Sequence, residues 1–192
     1  MSVIASNLTK SYGGRLVLNN FSHTFPSGKV TAVIGQSGCG KSTLLSLLMG
    51  ILAPDSGKAE CPKPISAVFQ ENRLCKNLTA SANIRLVTGK SFSKARIAEE
   101  LSKIGLDDCE NKAVRELSGG MMRRVALLRA LMAEYEVLFL DEPFKGLDIG
   151  TKNLVTAYCK KKIKGKTVLF VTHDSRECDL LADEIIELKT VK

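Results

Sequence analysis

The sequence predicts an α/β fold in which a block of helices is inserted between strands of a buried sheet. Short apolar runs typical of buried strands occur at 30–34, 65–69, 137–140 and 167–171. A glycine-rich loop follows the first run and leads into a leucine-rich segment. Between the second and third runs, helical spacing dominates residues 72–133. We expect one domain over 1–192, with 72–133 as a helical subdomain.

The first half of the chain alternates strand and turn signals. Residues 30–34 end at a glycine cluster, as a buried strand before a loop would. Residues 41–49 are rich in leucine and precede Gly50, which predicts a helix with a glycine at its C-terminal end. Residues 54–57, Pro-Asp-Ser-Gly, predict a turn.

Helix periods replace strand periods in the middle of the chain. Ile97, Leu101 and Ile104 are spaced as one face of a helix, and Gly105 closes that segment. Further on, the same apolar spacing is seen in a second group of three residues, which are Val125, Leu128 and Met132. Two helices of the inserted block are therefore predicted here.

The composition excludes a membrane-embedded chain. Hydrophobic residues make up 44% and charged residues 25% of the sequence, as in ordinary globular proteins. No apolar run approaches the roughly 20 residues that cross a bilayer, and residues 1–7 lack the pattern of a signal peptide. We expect a cytoplasmic protein whose six cysteines are reduced thiols serving as small core residues.

The net charge of +8 includes a run of five lysines between 160 and 166. Such a run can bind nucleic acid or an anionic membrane, or it can form the solvated C-terminal end of a helix. Gly165 lies within the run and favours the helix end. We therefore expect no nucleic-acid partner.

The glycine-rich loop matches the G-x-x-x-x-G-K-[ST] pattern of a phosphate-binding loop. Its glycines allow a tight backbone whose N–H groups face phosphate oxygens, and the following helix directs its positive end toward the same anion. Lys41 is placed to neutralise the terminal phosphates, and the Ser42 hydroxyl to bind Mg²⁺. The candidate nucleotide-binding residues are Gly35, Gln36, Ser37, Gly38, Cys39, Gly40, Lys41, Ser42 and Thr43.

Two carboxylates follow the apolar run at 137–140. Strand ends of this kind form the ligand-binding edge of an α/β sheet, where the phosphate loop also opens. Asp141 is predicted to bind magnesium, and Glu142 to act as the general base that polarises an attacking water. His173 follows the run at 167–171 and is a candidate contact to the γ-phosphate, although a lone histidine is more often structural.

Leu117-Ser118-Gly119-Gly120-Met121 resembles the signature motif of the ABC (ATP-binding cassette) ATPases, and the order of the motifs is similar across nearly the whole chain. The resemblance implies a P-loop ABC ATPase core with a mixed sheet, an N-terminal antiparallel β region and an inserted helical subdomain. It also implies roles for four further positions. They are Tyr12 (stacking on adenine), Gln70 (sensing magnesium and the attacking water), Asp148 (the dimer-crossing loop) and His173 (the switch histidine).

The resemblance further implies how two copies of the chain cooperate. Ser118, Gly119 and Gly120 would hold the γ-phosphate of an ATP bound by the partner chain, since a helix N-terminus suits an anion. The implied activity is Mg²⁺-dependent ATP hydrolysis in a head-to-tail homodimer that drives integral membrane transporter subunits at the cytoplasmic face of the membrane. Among transporters, residues 69–74 resemble the nitrate/sulfonate/taurine importers, and other importers or a lipoprotein-type exporter stay open.

A soluble ABC-type ATPase of DNA repair or translation is the alternative within the family. The repair proteins carry a long coiled coil between the glutamine loop and the signature, whereas only a compact segment separates Gln70 from Leu117 here. Translation factors carry two cassettes, and this chain has a single set of motifs. Met121 and Gly146 depart from the commoner residues, and neither departure touches the predicted catalytic residues Lys41, Glu142 and His173.

Overall fold

The computed structural model describes residues 2–191 and contains two sheets surrounded by helices. The strands are β1 (Val3–Tyr12), β2 (Arg15–Phe25), β3 (Val30–Ile34), β4 (Ser56–Glu60), β5 (Ile65–Val68), β6 (Val137–Asp141), β7 (Thr167–Val171) and β8 (Glu184–Glu187). The helices are α1 (Lys41–Leu48), α2 (Ala80–Thr88), α3 (Lys94–Ser102), α4 (Gly119–Met132), α5 (Ile149–Ile163) and α6 (Ser175–Leu181), with a 3₁₀ turn at Val114–Glu116.

The larger sheet is parallel and has the strand order β5-β6-β7-β3-β8. β3, β6 and β7 are buried along nearly their whole length, which explains their continuous apolar runs, because helices cover both faces of such a sheet. The carboxyl ends of β3, β5, β6 and β7 therefore lie along one edge. This edge carries the phosphate loop and the acidic pair.

The smaller sheet is antiparallel, with the order β2-β1-β4. Its inner residues join the core that also contains the leucines of α1. Together with the parallel sheet, it confirms the predicted fold class of a mixed α/β core with an N-terminal antiparallel region.

All helices of the inserted block lie between β5 and β6. α2, α3 and α4 begin after Thr79, Ser93 and Ser118, whose hydroxyls each accept a hydrogen bond from the N–H three residues later. Their apolar faces share a single core with the parallel sheet. α2 and α3 contain nine residues each, so the block has no coiled coil.

Three local predictions need correction. Ser56 and Gly57 belong to β4 and not to a turn, because Ser56 pairs with Thr9 of β1. Ile104 lies beyond the end of α3, although it is buried as the helical spacing predicted. All six cysteines are free thiols, as expected, but Cys75 is exposed and only four of them are buried.

Candidate functional site

A cleft of about 330 Å³ opens at the carboxyl edge of the parallel sheet. It brings together residues that are far apart in the sequence, from the phosphate loop, the acidic pair and the end of β1. Its lining comprises Tyr12, Val17, Ser37, Gly38, Gly40, Lys41, Ser42, Thr43, Gln70, Asp141, Glu142, Lys145 and Val171. Val17 and Lys145 were not predicted, since neither belongs to a motif.

The phosphate loop forms one wall of this cleft. Gly40 precedes α1 with a φ of 102°, and a Cβ atom there would lie 2.8 Å from Val17, so only glycine fits. The first hydrogen bond within α1 is donated by Leu44 to Gly40. The N–H groups of Lys41, Ser42 and Thr43 therefore precede that bond and give the helix end its positive potential.

The Lys41 ammonium group lies across the same loop. It donates to the carbonyls of Gly35 at 2.7 Å and Gln36 at 2.9 Å. These two hydrogen bonds keep the Lys41 ammonium group next to the phosphate loop. Cys39 is buried behind the loop and donates its N–H to the Gln36 carbonyl. Gly35, Gln36 and Cys39 thus shape the loop, and none of the three lines the cleft.

Asp141 has the features of a metal ligand. Its Oδ1 atom is buried and has no hydrogen-bond partner among residues 2–191. Burial raises the pKa of this carboxyl group, and a hydrogen bond with Ser42 opposes that rise. A buried carboxylate oxygen without a partner beside a hydroxyl matches the hard oxygen donors that Mg²⁺ prefers.

Glu142 and His173 form a direct pair at the edge of the cleft. The Nδ1 atom of His173 lies 2.8 Å from Oε2 and 3.0 Å from Oε1 of Glu142. Glu142 has a φ of 51°, which costs a non-glycine residue about 1–3 kcal/mol. Its N–H donates to the Val171 carbonyl of β7 at 3.0 Å. The backbone around this carboxylate is thus held in an uncommon conformation.

The turn that carries His173 is fixed on both sides. The Thr172 hydroxyl accepts from the N–H of Asp174 and donates to Glu177. Lys152 of α5 forms ion pairs with both Asp174 and Glu177. His173 itself is 68% exposed, so the turn is rigid while the imidazole stays accessible.

Tyr12 and Gln70 both line the cleft. Tyr12 ends β1 with its ring half exposed, and the ammonium group of Lys10 lies 5.9 Å from the ring centre. Gln70 is exposed two residues after β5. An aromatic face open to solvent can stack on a base, and the amide at the strand end can reach a ligand in the cleft.

The structure places the signature residues and Asp148 outside the cleft. Ser118 and Gly119 are exposed at the start of α4, and the Ser118 hydroxyl accepts from the N–H of Met121 at 3.3 Å. Asp148 begins α5 by accepting from the N–H of Thr151, and this hydrogen bond lowers the pKa of the aspartate. Within one chain, these residues do not join the cleft.

Sequence reasoning missed Arg123, which is buried in the first turns of α4. Its guanidinium group donates to the backbone carbonyls of Phe69, Asp141 and Glu142, and at 3.1 Å to that of Pro143. Burial lowers the pKa of Arg123, and the negative charges of the two carboxylates oppose this. The apolar spacing of Val125, Leu128 and Met132 and the Ser-Gly-Gly motif predicted this helix, but neither pattern includes Arg123.

Comparison with known proteins gives consistent matches. The family described as ABC transporter matches residues 18–145. The aliphatic sulfonates import ATP-binding protein SsuB 3 of Paraburkholderia xenovorans is 37% identical over 99% of this chain and 78% of its own length. The lantibiotic transport ATP-binding protein SrtF of Streptococcus pyogenes is 36% identical over 93% of this chain and 83% of its own length.

Solved structures agree with these sequence matches. The chain is similar to the ATP-binding cassette MJ0796, in a dimeric post-hydrolysis state bound to ADP and Pi, with a TM-score of 0.87 and 28% identity. The match covers 99% of this chain and 97% of that one. Among residues 2–191, no helix is long and apolar enough to cross a membrane.

Proposed function

The chain belongs to the ABC transporter family, and we propose from this premise that it is the subunit that binds and hydrolyses ATP to power transport. The observation that carries the proposal is the single cleft that unites Lys41, Asp141 and Glu142. A cation, a metal-binding carboxylate and a candidate base are the groups that phosphoryl transfer to water requires.

ATP binding follows from the shape of the cleft. Lys41 and the N-terminal end of α1 face the β- and γ-phosphates, while Tyr12 stacks on the adenine at the open margin. Hydrolysis then requires a water molecule in line with the γ-phosphorus. Glu142 orients this water and accepts its proton as the new P–O bond forms and the bond to the β-phosphate oxygen breaks. His173, paired with Glu142, contacts the γ-phosphate.

Magnesium would be held by the Ser42 hydroxyl, Asp141 and Gln70. The unpartnered Oδ1 atom of Asp141 supports this assignment. No group of three or more metal-binding side chains occurs within residues 2–191, and Mg²⁺ needs none, because substrate phosphates and water complete its shell. The ion supplies charge stabilisation to the phosphates.

The active form is a head-to-tail homodimer. Ser118 and Gly119 are exposed and Gly120 is half-buried, and all three lie outside the cleft of their own chain, while the start of α4 suits an anion. We assign them, with Asp148, to the ATP bound by the partner chain. A C₂ arrangement would complete both sites at once.

The partners in transport would be integral membrane subunits, with the cassette bound to their cytoplasmic face. In the inserted block, Leu74 and Phe92 pack against the core, whereas Leu78 is 38% exposed. Two apolar residues near the end of α2, Leu86 and Val87, are exposed as well. Relatives named for sulfonates and lantibiotics match equally well, so the membrane subunits and not this chain would select the cargo.

ATP hydrolysis by the purified chain tests the proposal. Wild type should release phosphate from Mg-ATP, and Glu142→Gln should lower kcat by about 100- to 1000-fold while retaining ATP affinity. Lys41→Ala should weaken ATP binding itself. Lys90→Ala, at an exposed position away from the cleft, is the matched control. A wild-type chain without Mg-ATP affinity would contradict the proposed function.

A further inference from the structure

Arg123 makes contacts that reach two neighbouring strands at their carboxyl ends. From α4, the guanidinium donates to Phe69 at the end of β5, and to Asp141 and Glu142 at the end of β6. Its Nη1 atom also lies 3.3 Å from Oδ1 of Asn72. One side chain thus connects the segment of Gln70 to that of Glu142.

These bonds match the chemistry of arginine. The planar fork presents donors in fixed directions, whereas a lysine ammonium is a point charge. Arg123 is only 4% exposed, so its donors must find partners inside the protein. At the end of β6, all the oxygens that Arg123 contacts are backbone carbonyls. The carboxylates of Asp141 and Glu142 are therefore free to face the cleft.

The contact also explains how Glu142 keeps its left-handed backbone. The Glu142 carbonyl accepts from Arg123 and from the N–H of Lys145, and its own N–H donates to Val171. Strained conformations persist where surrounding groups over-determine them. If these bonds were loosened, the carboxylate would turn away from His173.

We infer that Arg123 is a positioning residue, which fixes the Glu142 carboxylate relative to Gln70 and links both to the helix that begins at Ser118. Arg123 lies about one turn after the exposed Gly119. A shift of α4 on contact with a partner chain would therefore move the carbonyls that hold Glu142. This inference rests on the proposed function.

The test separates hydrolysis from binding in the full chain. Arg123→Lys keeps the charge but loses the fork, and Arg123→Gln loses both. We expect each variant to lower kcat by roughly 100-fold, with KM and the Kd for ATP within about threefold of wild type. Arg129→Lys is the control, because Arg129 lies on the same helix and donates to the Arg73 carbonyl, whereas the hydrogen bonds to Asp141, Glu142 and Pro143 are made by Arg123.

Wild-type kcat in Arg123→Lys would overturn the inference, because charge alone would then suffice. The inference would also be overturned if kcat and ATP affinity fell in parallel, or if neither variant folded. Arg123 would then have only a structural role. If the wild-type chain binds ATP but does not hydrolyse it, the proposed function is refuted. If the wild-type chain hydrolyses ATP and Arg123→Lys has the same kcat, only the role of Arg123 is refuted.

Discussion

Asp141 and Glu142 are adjacent residues with opposite surroundings. The Glu142 carboxylate is paired with His173, whereas Oδ1 of Asp141 is buried without a partner among residues 2–191. Burial of a carboxylate oxygen that has no hydrogen-bond partner lowers the stability of the fold. The protein tolerates this at the position where a divalent cation would supply the missing partner.

The first prediction concerns this destabilisation. The folded Asp141 carboxyl binds its proton more tightly than the unfolded one, since its pKa is raised by burial. Stability is therefore lost as the pH rises through the folded pKa. Asp141→Asn should raise the free energy of unfolding by about 1 kcal/mol at pH 7 in EDTA, as measured by urea denaturation. A less stable variant under these conditions would contradict the assignment of Asp141 as an unpaired ligand.

The sequence predicted which residues line the cleft better than it predicted which residues support them. Lys41, Ser42, Asp141 and Glu142 could be predicted because each lies within a local pattern that combines a loop or strand end with chemistry. Arg123 could not, since its partner Phe69 is 54 residues away and the contact depends on packing. The sequence thus predicted the candidate binding and catalytic groups, but not the residue that supports their backbone.

Among the elements, α3 and α5 are connected by a buried carboxylate. Glu100 is 1% exposed and accepts from Tyr158, while Lys162 lies at 2.9 Å and Lys103 at 3.1 Å. Burial by itself would raise the pKa of Glu100, but the hydrogen bonds from these partners lower it to about 2. The inserted block is therefore fastened to the α/β core by an ionised group.

Glu100→Gln should lower the free energy of unfolding by about 2 kcal/mol at pH 7, because Gln keeps the shape and loses the charge. The folded pKa lies below the unfolded value, so the contribution is present above about pH 4.5 and is lost as the pH falls toward 2. Denaturation at pH 7 and pH 3 measures this difference. Glu99→Gln, on the exposed side of α3, is the control and should change stability little. A difference that does not change with pH would refute the charged contact.

The contact between β1 and β4 depends on a single glycine. Gly57 has a φ of 86°, and a Cβ atom there would lie 2.2 Å from the carbonyl oxygen of Asn7. Gly57→Ala should destabilise the protein by about 3 kcal/mol or more, whereas Gly50→Ala should cost only about 1 kcal/mol. Gly50 has a similar φ of 74° with no atom within 4 Å. Equal melting temperatures for the two variants would contradict a steric role for Gly57.

Sequence patterns predicted the bounds of some strands but not of others. The buried strands β3 and β7 match their predicted ranges because both faces are covered and the whole run is apolar. The first two residues of β4, Ser56 and Gly57, were predicted as part of a turn, and the sequence Ser-Gly-Lys-Ala-Glu lacks an apolar pattern that would predict the strand. Pairing with β1 creates that strand, and pairing between distant segments leaves no local signal.

For the whole molecule, the important feature is that the cleft and the signature residues at the start of α4 lie apart in one chain. The cleft is lined by Gly38 of the phosphate loop and by Lys41, Ser42 and Thr43 at the start of α1. Ser118 and Gly119 are exposed at the start of α4 and do not line the cleft. A single chain therefore has the phosphate loop in its cleft and the start of α4 outside it. In the proposed homodimer, a second copy brings the start of its α4 to this cleft.

Sedimentation velocity of Glu142→Gln with saturating Mg-ATP tests this claim most directly. Blocked hydrolysis should trap the sandwich, so the account predicts a species of twice the 20.8 kDa chain mass with ATP, and single chains with ADP. Adding Ser118→Arg should restore single chains, because the bulky side chain obstructs the start of α4. A Glu142→Gln chain that binds Mg-ATP and stays at the mass of one chain would contradict the account.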